Sequence, residues 1–274
     1  MPSVNVDNIS NSERVSRAFS AQAPAFDAYE EQNAILQWMR RQVYRHEEDF
    51  LSRGDSILEL NAGSGIDAMH FARAGHSVFA IDNAPGMLDV LNTKVKHHHL
   101  EKFVETMLCS FTDLHLLPER RFDHVFSNFG GLNCIPDLRA VTTKLPALLK
   151  PGATVTFVVM PRVCPWELIH ILKGNSRLAF RRFSRNGTPA SIEGIKFLSY
   201  YFSPGEIIGS FDKRFSLAKL RGLASFSPPP QMLSIAQRHP QLYALLAKLD
   251  ERCSGLPPFN RWADHCIITM KYLP

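Results

Sequence analysis

The run Ile57-Leu58-Glu59-Leu60-Asn61-Ala62-Gly63-Ser64-Gly65-Ile66-Asp67 carries an apolar stretch through a glycine-rich turn into a helical pattern. Glycines at such a turn present no Cβ and tolerate positive φ, so the backbone can close on a ligand. A second apolar run, Val78-Phe79-Ala80-Ile81-Asp82, ends on an acid. An acid about twenty residues beyond such glycines can hold both hydroxyls of a ribose. The pair therefore points to a nucleotide-like cofactor lying across the carboxyl ends of parallel strands. NAD fits less well, because Ala68 stands where its fingerprint requires a third glycine and no hydride-acceptor motif follows. His97-His98-His99 is a weak metal signal, since three consecutive residues on a helix point in different directions. No metal site is expected. The five cysteines (109, 134, 164, 253 and 266) are odd in number and never spaced Cys-x-x-Cys, which favours free thiols in a reducing cytoplasm.

The elements that must position these residues alternate in kind. Strands are expected near 56–60, 77–82, 104–108, 122–127 and 153–160, with helices over 66–74, 86–96 and 137–149 and a turn at Pro151-Gly152. That rhythm predicts a doubly wound α/β fold, a mostly parallel sheet with helices on both faces. Residues 1–24 read as a polar, loose arm that firms into helix, and apolar residues from Phe26 to Phe50 predict one helix over 25–51. After Met160 an insertion over 161–203 is expected, with a helix near 166–173 and a basic, aromatic segment at Phe180-Arg181-Arg182-Phe183. A helix over 206–215, a strand over 217–226, a stop at Pro228–Pro230, a helix pair over 231–252 and a closing strand over 265–273 complete the chain. Three units follow: an amino-terminal helical lid (1–51), a cofactor-binding core (52–160), and insertions plus the last strands (161–274).

Bulk properties exclude several classes. The 274 residues can bury a sizeable core, and 45% hydrophobic with 21% charged residues is ordinary globular composition. No apolar run reaches the roughly 18 residues of a membrane span, and the first residues lack a secretory pattern, so a cytoplasmic protein without a membrane partner is expected. The net charge of +5 is uneven: residues 161–222 hold eleven Lys or Arg against four acids. Basic residues interspersed with apolar ones read as a solvated surface rather than a nucleic-acid face.

The ordered motifs resemble those of the class I S-adenosylmethionine-dependent methyltransferases, from Ser56 to Met160 and again in the closing strand. Glu59, Gly63 and Gly65 match the first motif, with Asn61 at its first glycine position, a residue type that accepts positive φ better than most. The resemblance implies a seven-stranded sheet and S-adenosyl-L-methionine as cofactor. It implies that Glu59 supports the loop near the methionine end and that Asn61, Ala62, Gly63 and Gly65 surround methionine and ribose. Asp82 and Asn83 then lie at the ribose and Met87 against adenine. Leu108-Cys109-Ser110-Phe111 resembles the adenine-recognising turn, with Ser110 where an acid is usual. Phe122 to Gly130 matches the fourth strand and the loop facing the transferred methyl, which places Asn128 and Phe129 at the cofactor. Ser127-Asn128-Phe129-Gly130 replaces the Asn/Asp-Pro-Pro-Tyr loop of enzymes that methylate DNA bases, and no acid cluster of the metal-dependent catechol type is found.

The family's last strand runs antiparallel, so its first residue, His265, falls at the pocket as a candidate general base. By the same resemblance Phe26 and Tyr29 wall the pocket from a closing lid, the other reading being a helix packed on the sheet. Asn133, Cys134 and Trp166 are expected to line the acceptor side, Cys134 as lining and not as a nucleophile. The expected activity is methylation of a small organic metabolite, at oxygen before nitrogen or carbon, by a monomer or homodimer. A protein or RNA acceptor, or an inactive cofactor-binding subunit, are the alternatives.

Overall fold

The computed structural model describes residues 9–274; the first eight, which include the head of the expected arm and lid, lie outside the described residues. Helix α1 (Asn11–Gln32) starts within the stretch expected to be loose. Its start is fixed by a reciprocal cap: the Glu13 N–H donates to the Ser10 hydroxyl, and the Ser10 N–H donates to the Glu13 carboxylate. The single helix expected over 25–51 is instead the end of α1 and a separate α2 (Ala34–Glu47). Asn33 makes the break, because its side-chain oxygen accepts from Ile35 and Leu36 N–H and so begins a new helix.

The alternation then runs as expected: β1 (Ser56–Glu59), α3 (Ile66–Arg73), β2 (Ser77–Asp82), α4 (Pro85–His97), β3 (Val104–Leu108) and β4 (Phe122–Ser127). The helix expected over 137–149 shrinks to α5 (Arg139–Thr142) and a 3-10 turn at Leu145–Leu148. Pro146 has no N–H to continue an α-helical ladder there. β5 (Leu149–Val159) begins earlier than expected and absorbs the Pro151-Gly152 turn as a bulge, since Phe122 pairs with Leu149 but His124 with Thr154.

In the insertion, α6 (Pro165–Leu168) and α7 (Ser176–Ala179) are single turns, and a hairpin of β6 (Thr188–Ile192) and β7 (Ile195–Ser199) stands where no strands were expected. The expected helix over 206–215 is only α8 (Pro204–Ile208), capped by Ser203, and β8 (Phe215–Leu223) already starts at Phe215. The helices α9 (Leu233–Arg238) and α10 (Pro240–Cys253) and the strand β9 (His265–Tyr272) close the chain.

The seven-stranded sheet has the order β3-β2-β1-β4-β5-β9-β8. Its first five strands are parallel, and β9 is antiparallel to both neighbours. Successive residues face opposite cores, as the pleat requires. Leu58, Val125, Phe157 and Ile268 pack toward Val141 of α5 and Ile207 of α8. Ile57, Phe126, Val158 and Ile267 pack toward α2, α3 and α4. Thus α2 belongs to the sheet's core through Ile35, Trp38, Met39 and Val43. Helix α1 contributes only to two small clusters, one with Phe197 of the hairpin and one with Ala84 and Met87 of the α4 start.

The two helices should therefore differ in what they hold together. Met39, wholly buried on α2, should cost about 2–5 kcal/mol on Met39→Ala, the usual range for such a cavity. Phe26→Ala on α1, where the ring is only partly covered, should cost less than about 1 kcal/mol. Denaturant midpoints of the two variants test this; equal losses would mean that α1 and α2 share one core.

Candidate active site

β1 ends on Glu59 and the chain turns through Asn61–Gly65 into α3. Positive φ falls on Gly63 (54°) and Gly65 (82°). A Cβ on Gly65 would lie 2.1 Å from Leu91 Cδ1, so only glycine lets α3 start this close to α4. The Asp82 carboxylate locks the same loop: Gly63 N–H donates to one oxygen and Ala84 N–H to the other, both at 2.8 Å. Burial raises the Asp82 pKa, and the N–H groups of Ala84 and Gly63 pull it back. Asn61 differs from its expected backbone role, because it is not among the positive-φ residues. Its amide instead spans the gap to β4, donating to the Asn128 carbonyl at 2.8 Å and accepting from the Ser127 hydroxyl. Beneath the loop Glu59 is buried, and its Oε2 has no hydrogen-bond partner. Burial and the nearby Asp67 push its pKa well up.

These strand ends open into a cavity of about 340 Å³, within the scale of small-molecule sites. Of the residues expected at the cofactor, Asn61, Ala62, Gly63, Asp82, Asn83, Met87, Phe111, Asn128 and Phe129 line it. Glu59, Gly65 and Ser110 do not; Ser110 is held in its own turn by Thr112, whose N–H donates to its hydroxyl at 3.2 Å. Phe26, Tyr29 and Cys134, expected on the acceptor side, line the same cavity. Asn133 and Trp166 do not, for reasons of hydrogen bonding. The buried Asn133 amide donates to the Met160 and Tyr200 carbonyls at 3.0 and 2.6 Å, tying chain segments together. The Trp166 indole N–H donates to the Phe226 carbonyl at 3.2 Å. Burial pushes the Cys134 thiol up to about 12, so it is not a thiolate at neutral pH. The His97–His99 run is exposed at the end of α4.

Sequence reading missed the polar floor of the cavity. Arg40 of α2 donates to Asp67 of α3 and, at 2.7 Å, to Glu30 of α1. Asp67 also accepts from the Tyr44 hydroxyl at 2.7 Å and from the Asn128 amide at 3.0 Å. Burial opposes both charges, yet Asp67 and Glu30 hold the Arg40 pKa up, and Arg40 holds that of Asp67 down. The guanidinium also lies 4.7 Å over the ring of Phe129. Phe129 itself has φ 45°, a backbone state that bulky residues rarely adopt and that clusters at functional sites. The same ring meets His265 edge-on, with centroids 5.6 Å apart. His265 opens β9, lines the cavity, and places Nδ1 2.9 Å from the Asp264 carboxylate.

Helix α1 is stitched over this mouth. The Ser16 hydroxyl donates to the Asn83 carbonyl at 2.7 Å, and Asp27 accepts from Ser64 of the glycine loop and from Lys94 of α4. Asn11 pairs with the Leu198 backbone in the hairpin, receiving its N–H at 2.7 Å. Val15 and Phe19 of α1, Cys134, Met160 and Ile192 of the hairpin add apolar lining to the cavity.

Comparison with known proteins agrees with this geometry. Residues 57–152 match a family model described as a methyltransferase domain. The chain is 31% identical over 153 residues to a malonyl-acyl-carrier-protein O-methyltransferase of Serratia marcescens, covering 54% of this chain and 52% of that one. It is 29% identical over 134 residues to a demethylmenaquinone methyltransferase of Corynebacterium efficiens, covering 47% and 54%. The match thus spans about half the length of these curated relatives. Among solved structures, a Burkholderia thailandensis 1,6-didemethyltoxoflavin-N1-methyltransferase superposes with TM-score 0.59 at 16% identity, covering 99% of this chain and 94% of that one. The 4+2 cyclase SpnF superposes with TM-score 0.64 at 14% identity, covering 96% of both. Residues 57–152 thus match a methyltransferase domain, and the sheet order and the Asp82-locked glycine loop give the chain the Rossmann-like fold of the class I S-adenosylmethionine-dependent methyltransferases.

Proposed function

We propose that this chain transfers the methyl group of S-adenosyl-L-methionine to a small organic acceptor, at oxygen. The observation that carries the reading is one cavity with two kinds of lining. Asp82, Met87 and Phe111 share it with the apolar side chains of Val15, Phe19, Met160 and Ile192, and His265 belongs to the same lining. The residues present fit the cofactor. Asp82 is a carboxylate for the ribose hydroxyls, and Met87 and Phe111 are flat or soft apolar partners for adenine. When bound, the cofactor supplies an electrophilic methyl on a sulfonium, whose C–S electron pair stays with sulfur as the acceptor atom bonds the carbon.

The chain's own residues orient the reactants and keep water out. Helix α1 and the hairpin close over the acceptor, so we retain the lid as the role of α1, while α2 serves the core. Arg40, held by Glu30 and Asp67, steadies Phe129 beside the reacting centre. His265 takes the acceptor's proton. Oxygen is favoured because a hydroxyl has such a proton to give up.

A protein or RNA acceptor draws less support. Within 161–222, Arg162, Arg181, Arg182, Arg214 and Lys219 are already paired with carboxylates, which reduces the free positive charge. No helix among the described residues is long and apolar enough to cross a membrane. We place the protein in the cytoplasm, as a monomer or homodimer. Incubation with methyl-labelled cofactor and a panel of small hydroxylated compounds, read by mass spectrometry, should put label on a hydroxyl oxygen. Label only in protein or RNA of a cell extract would overturn the reading, and no label anywhere would favour an inactive subunit.

Two variants follow from this reading. Asp82→Ala should weaken cofactor binding by more than about 1.5 kcal/mol in calorimetry, through loss of a charged acceptor for two hydroxyls; unchanged affinity would remove Asp82 from the ribose. Deletion of residues 1–28 spares Glu30 and its pairing with Arg40. The truncated chain should unfold cooperatively and still bind cofactor, with methyl transfer at least about tenfold slower, or 1.4 kcal/mol in the barrier. Normal turnover, or failure to fold, would show that α1 is not a lid.

A further inference from the structure

His265 is the end of a buried chain of charges that reaches into the insertion. Its Nδ1 meets one oxygen of Asp264 at 2.9 Å. The other Asp264 oxygen accepts from Arg182 Nη2 at 2.8 Å. Arg182 is itself 4% exposed and uses every face of its fork. Nη1 donates to the carbonyls of Pro161 and Asp264 at 3.2 and 2.9 Å, and Nε donates to Glu167 at 2.7 Å. Arg181 completes the charge balance with two bonds to Glu167, at 2.8 and 2.7 Å. Two guanidinium groups therefore face two carboxylates, and the cluster is neutral without His265. Burial opposes an ionised Asp264, yet His265 and Arg182 hold its carboxyl well below the usual range.

A carboxylate can only accept, so a neutral His265 must carry its proton on Nδ1 and leave Nε2 bare. Nε2 has no hydrogen-bond partner among the described residues, and the imidazole lines the cavity. We propose that Asp264, oriented by Arg182, fixes His265 in the Nδ1–H tautomer, and that the bare Nε2 selects an acceptor that arrives with a proton to lose. This deepens the general-base reading of His265 and rests on it. The acceptor class is then a hydroxyl compound or a carbon acid beside a carbonyl. Its proton passes to Nε2, its freed electron pair forms the new bond to the methyl carbon, and the imidazolium later loses the proton to solvent. A carboxylate acceptor, anionic already, has no use for this arrangement. Asp264 and Arg182 are positioning residues, and through them the insertion becomes part of the reaction centre.

The variant Asp264→Asn distinguishes orientation from mere packing. Arg182 can only donate, so the Asn oxygen must take the Arg182 side and its NH2 group must face Nδ1. Nδ1 then has to accept, and the proton moves to Nε2. Nitrogen-15 spectra of the imidazole rings, recorded on the free protein with His265 neutral and assigned by His265→Gln, report the tautomer without cofactor or acceptor. The wild type should show Nδ1–H, and Asp264→Asn should show Nε2–H. With an acceptor in hand, Asp264→Asn should lower kcat at least about tenfold with cofactor affinity unchanged, a split that loss of packing alone does not produce. An Nε2–H wild type, or a tautomer that ignores Asp264→Asn, would overturn the proposal while leaving methyl transfer itself untouched. If Asp264→Asn does not fold, the wild-type spectrum still decides. Conversely, Nδ1–H with His265→Gln fully active would retire the base and not the tautomer.

Discussion

The pairing of β1 with β4 at the centre of the sheet is the constraint from which the site follows. Leu58 lies beside Val125 and Glu59 beside Phe126, yet the chain leaves β1 toward β2 and reaches β4 only after α3, β2, α4 and β3. Helices after β1 and β4 therefore depart to different sides, and a crevice must open between the two strand ends. Every polar group described at the site is arranged about that crevice. Asn61 bridges it from β1 to the Ser127-Asn128 end of β4, and Asp82 fixes the glycine loop from the β2 side. The antiparallel β9 brings its first residue, His265, to the same edge, because an antiparallel strand begins where its parallel neighbour ends.

How much of this was legible in the sequence depended on distance along the chain. The glycine loop, Asp82 and the strand alternation are local patterns, and with the family resemblance they predict the sheet and about half of the cavity lining. Helix ends were misread where one polar side chain decides the matter: Asn33 splits a continuous amphipathic run, and Ser10 starts a helix in a polar stretch. The charged floor could not be read, because Arg40 and Asp67 are 27 residues apart and each looks like a surface residue alone. Arg182 and Asp264 are 82 residues apart and come together only after the insertion folds back. Asn133 and Trp166 fall in the right loops, but their polar groups turn to backbone carbonyls and not to the cavity.

The site is built by burying charge in paired groups. Arg182 and Arg181 against Glu167 and Asp264 sum to zero, while Arg40 against Glu30 and Asp67 leaves one negative charge. Pairs of this kind seldom add much stability, because desolvation consumes the attraction. Their value here is orientation: one group lies over the ring of Phe129, a residue with positive φ, and the other holds His265, which meets the same ring. A preorganised polar frame of this kind need not rearrange during the reaction.

The central claim is that the crevice between β1 and β4 receives S-adenosylmethionine. A crystal of the protein soaked with S-adenosylhomocysteine tests it most directly. The account predicts a ligand in the crevice, with ribose hydroxyls on the Asp82 carboxylate, adenine between Met87 and Phe111, and sulfur on the side of Phe129 and His265. A ligand bound elsewhere, or an Asp82 carboxylate that makes no contact with the ribose, would contradict it.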